Sequence, residues 1–122
     1  MVKIFALSAA LLAVSALPAL AQSDCAEPIA PASIDGSTAT VAQMKGAHDD
    51  VMTFIKQSDD YQVCVYKELN DQKAAALKDK KPLDASADAA VDAKIKSNQG
   101  LKQKVGDEYN AAVAAYKAKH PG

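Results

Sequence analysis

The sequence predicts an all-α fold: a long antiparallel helical hairpin with an extended N-terminal arm tied back by one disulfide. Two long stretches carry apolar residues at helical spacing, and the short segment between them contains Pro82. One of the two cysteines stands in a Pro-rich segment ahead of the first stretch, and the other lies deep inside it. At 122 residues, with no Trp and few aromatics, the chain is sized for one small domain with a thin aliphatic core.

The first element, residues 1–21, reads as a secretory signal. Lys3 gives the charged start, Ile4 to Leu17 the apolar stretch, and Ala19-Leu20-Ala21 a small-x-small cleavage site before Gln22. The apolar stretch is shorter than the ~20 residues needed to span a bilayer, so it predicts cleavage and no membrane insertion afterwards. The mature chain is then expected in the periplasm or secreted, where Cys25 and Cys64 would oxidise to one structural disulfide.

Residues 22–39 form the expected arm, rich in Pro, Ser and Ala, with Ile29 and Ile34 as its inward-facing side chains. Residues 40–122 form the hairpin, one domain with the arm. Thr40 followed by Gln43 is a capping-box start. Val41, Met44, Val51, Ile55, Val65 and Leu69 then mark an apolar face running to about Lys78. The polar patch at Ser58 weakens that pattern without breaking its register, which favours one long helix. The second helix starts at Asp84 or Ser86 and carries Val91, Ile95, Leu101, Val105, Tyr109, Ala112 and Tyr116 to an end near His120. Helices joined by so few residues pack antiparallel. Gly100 and Gly106, each costing about 1 kcal/mol in a helix interior, are expected to mark close backbone approach. The chain reads as free of internal repeats.

The disulfide tests this geometry. Cys64 lies ~36 Å along the first helix from its start at 1.5 Å per residue. The residues from Cys25 to Thr40 reach ~50 Å when extended, enough for the arm to run back along the helix.

All 14 basic residues are Lys, and 12 of the 15 acidic residues are Asp. A chain without Arg and with net charge −1 lacks the basic surplus and guanidinium forks of a nucleic-acid binder, so that class is set aside. No nucleophile–base pattern and no Gly-rich phosphate loop follow a strand, which speaks against an enzyme. His48 and His120 fall at one pole of the hairpin and read as exposed residues near helix ends rather than as a transition-metal pair. The tyrosines read as core or boundary residues.

Carboxylates are the stronger candidates. Asp84, Asp88 and Asp92 recur every four residues on the second helix, and Glu68 and Asp71 share a face of the first. Folding about residues 81 and 82 places Asp71 level with Asp92, with Glu68 and Asp88 each within about one helical turn of ~5.4 Å. An oxygen-rich patch of Glu68, Asp71, Asp88 and Asp92 suits a hard cation, a lanthanide or calcium, with water or a second protomer completing the shell. The competing reading is a solvated face on which Lys67, Lys73, Lys94 and Lys96 pair with the same acids. The protein would then be a metal-free structural or interaction module of the envelope.

The mature chain resembles small exported helical proteins of alphaproteobacteria through Cys25-Ala26-Glu27-Pro28, Asp35-Gly36, Asp60-Tyr61 before Cys64, and residues 92–99. It looks like the landiscernin type within that group, periplasmic lanthanide-binding proteins of methylotroph metal-uptake clusters. That resemblance implies a lanthanide as bound ion and a homodimer bridged by the metal. It transfers no ligand positions; the four carboxylates come from helix geometry alone.

Overall fold

The computed structural model describes residues 23–122; the expected signal segment lies outside them. Two helices, α1 (Val41–Lys78) and α2 (Ser86–Lys119), pack against each other, and residues 23–40 run along them without regular secondary structure apart from one turn. Among the described residues there is no strand, and no helix is long and apolar enough to cross a membrane.

Local chemistry sets both ends of α1. The Gln43 amide donates to Thr40 Oγ1 (3.2 Å) and the Thr40 amide donates to Gln43 Oε1 (2.8 Å), so two otherwise orphaned amides are satisfied reciprocally. At the other end Lys80 adopts a left-handed backbone (φ 52°). The Lys81 amide then donates to the Ala76 carbonyl (3.0 Å) and the Lys80 amide to that of Leu77 (3.3 Å). This pair of bonds is a Schellman closure, built here on a lysine where glycine is usual. The helix is continuous through Ser58. At the start of α2, Asp84 Oδ1 accepts from the Ser86 amide (2.9 Å) just ahead of the first turn.

The core is a string of small clusters. Near the free ends of the helices, Ala39, Met44 and Ala112 are buried, with Ile34, Tyr109, Val113 and Tyr116 packed on them. Next come Val51, Phe54 and Val105, supported by Ala30, Ile55 and Leu101. Tyr61, Val65 and Leu69 continue the buried row of α1 toward the loop. Between these sits a polar layer: Ser58 and Asn98 are fully buried. Asn98 Nδ2 donates to Ser58 Oγ (3.3 Å), and Gln62 Nε2 donates to Asn98 Oδ1 (2.8 Å). With every buried polar atom partnered, the layer carries no unmet hydrogen-bonding demand among the described residues.

The arm is a third layer, joined to α1 by the Cys25–Cys64 disulfide (Cα–Cα 5.7 Å). Its inward residues differ partly from expectation. Ile34 packs on the core, but Ile29 is 91% exposed and Ala30 takes the inward position. An extended chain alternates its faces, and with Pro28 and Ala30 turned in, the residue between them points out. Val41 is likewise 58% exposed, its expected place being filled by Ala39 and Met44. The glycines also redistribute. A Cβ at Gly100 or Gly106 would meet nothing within 4 Å, so neither marks a close approach. At Gly36 it would lie 1.7 Å from the Ala112 carbonyl oxygen, so this is where arm and α2 backbones meet.

Candidate functional site

The four candidate carboxylates do not share one environment. Glu68 is half-buried and holds the arm: Ser23 Oγ donates to Oε2 (2.7 Å) and the Asp24 amide donates to Oε1 (2.8 Å). Asp71, one turn further along α1, accepts from Lys67 Nζ (2.6 Å). Asp88 accepts from Lys73 Nζ across the hairpin (2.5 Å), and Asp92 stands exposed on α2.

Rotation of α2 explains the separation. The Lys73–Asp88 contact places Asp71 level with Ala90, between Asp88 and Asp92 and close to the level expected from a fold about residues 81 and 82. What differs is the face that α2 turns toward Glu68 and Asp71.

A groove of about 330 Å³ opens between the helices at this level. Glu68 and Asp71 both line it, together with Ser23 and Gln72. From α2 the opposite wall is Ala87, Ala90, Val91 and Lys94, so Asp88 and Asp92 face elsewhere. One chain thus offers this groove two carboxylates, two neutral polar side chains and one ammonium.

Among the described residues, three metal-ligating side chains come within 4.8 Å of one another only at Cys25, Cys64 and Glu68. The two sulfurs there are already bonded to each other, so neither is the thiolate that a soft metal needs. His48 and His120 are not joined: His48 Nδ1 lies 3.3 Å from Asp49 Oδ1, while the His120 ring stacks on Tyr116 at 4.3 Å.

Electrostatics around the arm follows from this packing. Burial pushes the Tyr61 hydroxyl above its usual range, reinforced by the nearby negative charges of Glu27 and Glu68. The Lys67 ammonium is raised by its hydrogen bond to Asp71 and by that carboxylate's charge. Sequence reasoning did not see Glu68 as the anchor of the arm's first residues, because its partners, a backbone amide and a serine more than 40 positions away, leave no spacing signal.

No family model matches the chain, and neither a curated protein nor a solved structure is significantly similar to it.

Proposed function

We propose that the chain is an exported, non-enzymatic binding protein for a hard cation, a lanthanide or calcium. The signal-like segment at residues 1–21, cleaved after Ala21, would deliver it to the periplasm, and the disulfide fits such an oxidising compartment. The observation that carries the metal reading is the groove on which Glu68 and Asp71 both open. Carboxylate, hydroxyl and amide oxygens are the donors that hard cations take. Two carboxylates from one chain are a sparse set, so water or carboxylates of a second copy would complete the shell, with exposed Asp88 and Asp92 as the available donors. The Lys67–Asp71 pair is solvent-exposed and screened by water, a weak competitor for a trivalent ion.

The test is a titration of the mature, oxidised protein with lanthanum chloride and with calcium chloride, following helicity and molecular mass together. Submicromolar binding with a rise in mass is expected. Absence of binding to either ion removes the metal reading.

A second reading, a metal-free interaction module, is favoured by one specific observation: Asp71 and Asp88 each already hold a lysine. It predicts that both ions leave mass and helicity unchanged.

A further inference from the structure

The tip of the hairpin differs from the rest of the surface in charge and in polarity. Residues 73–84 hold four lysines and two aspartates, while the other described residues hold nine lysines and thirteen acids. Lys73 is taken by Asp88, and Asp84 accepts from the Ser86 amide at the start of α2. Lys78, Lys80 and Lys81 are exposed at the apex, and among the described residues none of the three has an ion-pair partner. Beside them Leu77 is 81% exposed, and with Leu83, Ala76, Pro82, Lys73 and Lys81 it lines a groove of about 280 Å³. Lys80 also occupies a left-handed position (φ 52°) that glycine takes without a Cβ penalty. Lys78, in the last turn, already meets the dipole of α1. What a lysine adds at position 80, against that backbone cost, is one more ammonium at the apex.

We infer that the tip docks on an anionic lipid surface, with Lys78, Lys80 and Lys81 against headgroup phosphates and Leu77 entering the boundary between headgroups and acyl chains. Charge orients the approach, because such a surface repels the acid surplus elsewhere on the chain and attracts the tip. The leucine selects lipid over a soluble polyanion, since its side chain leaves water only where a charged layer covers an apolar one. Long lysine stems keep the ammonium groups at the level of the phosphates while Leu77 goes deeper. A protein partner would need ~800 Å² on each side, more than an apex of a few residues presents. No helix of the described residues is long and apolar enough to cross a membrane, so the contact is peripheral. Each lysine near an anionic surface strengthens binding about fivefold, which makes a three-lysine dock reversible.

This dock needs no metal and stands apart from the proposed cation site, so it is tested in excess EDTA. Co-sedimentation of the mature, oxidised protein with vesicles is expected to show at least tenfold tighter binding to equimolar phosphatidylglycerol and phosphatidylcholine than to phosphatidylcholine alone. The preference should vanish at about 1 M salt, where the screening length is ~3 Å. Lys80→Gly should weaken binding about fivefold while keeping the closure of α1, which separates docking from folding. Lys78→Gln with Lys81→Gln should weaken it by at least tenfold. Lys117→Gln with Lys119→Gln, the same loss of charge at the other end of the hairpin, should leave it unchanged. Leu77→Ser should weaken it about threefold or more with unchanged helicity. Equal binding to the two vesicle types overturns the inference, and so does an equal effect of the two lysine pairs. Leu77→Ser without effect overturns it as well, because the tip would then be a site for any soluble polyanion. A protein that binds lanthanum but neither vesicle supports the cation site and rejects this one.

Discussion

Asn98 of α2 is fully buried against Ser58 of α1, bonded to its hydroxyl through Nδ2 while Oδ1 accepts from Gln62. A hairpin of two long helices with small apolar clusters has several neighbouring registers of similar burial, and a buried polar pair penalises all but the one that satisfies it. Asn98→Leu should therefore cost about 1–3 kcal/mol by leaving the buried Ser58 without its partner, while Gln62 keeps its bond to Gln99. Ser58→Ala combined with Asn98→Leu should recover part of that loss, as measured by urea unfolding.

Gly36 has a different constraint, since a Cβ there would sit 1.7 Å from the Ala112 carbonyl oxygen, a backbone atom that cannot step aside alone. Gly36→Ala is expected to destabilise by at least 1–3 kcal/mol through forced separation of arm and α2. Gly100→Ala, where the added methyl meets nothing within 4 Å, should instead stabilise by about 0.5–1 kcal/mol. Thermal unfolding of the two variants would show opposite signs.

Lys80 holds the left-handed position of the Schellman closure at φ 52°. Glycine adopts this conformation without a Cβ penalty. Lys80→Gly should raise stability by up to about 1 kcal/mol, offset in part by the extra freedom glycine gives the unfolded chain. The readout is the urea midpoint at constant m-value.

Cys25 and Cys64 close a loop with a sequence separation of 39. Opening it should remove about 4 kcal/mol in the chain-entropy model. The arm, held otherwise by Glu68 and the Gly36 contact, should lose amide protection before the hairpin does. Hydrogen exchange of the Cys25→Ser, Cys64→Ser protein against wild type checks this order.

The turn ahead of α1 should be acid-sensitive. Asp35 Oδ1 accepts from the Ser37 hydroxyl (2.6 Å) and the Ser37 amide (2.9 Å), and these bonds hold its carboxyl below the usual 3.8. A depressed folded pKa means the fold favours the ionised form, so this contribution is complete above the unfolded value and fades as pH falls through the folded one. Exchange at the Thr38 and Ala39 amides, which donate to the Asp35 carbonyl, is expected to quicken below about pH 3.8 and to do so less in Asp35→Asn.

Much of the fold was legible because it is written locally. The Thr40–Gln43 cap, the stop before Pro82 and the apolar spacing of each helix involve residues within a turn of one another, and the arm's return follows from the distance between Cys25 and Cys64. The candidate site was less so. Asp71 and Glu68 share a face by spacing alone, and they do share a groove. Which side chains of α2 would meet them depends on how that helix is rotated about its axis. It turns Ala87, Ala90, Val91 and Lys94 to the groove in place of Asp88 and Asp92.

By itself, then, the sequence determined helix content, helix ends, the antiparallel pairing and the clasp, all consequences of short-range stereochemistry and one covalent link. Only the tertiary structure decided that Ala30 and not Ile29 faces inward, that Gly36 is the close approach, that Ser58 meets Asn98, and that Asp88 faces Lys73 across the hairpin. These depend on the rotation and axial offset of one element against another. Such quantities are fixed by packing summed over the whole interface, not by any local spacing.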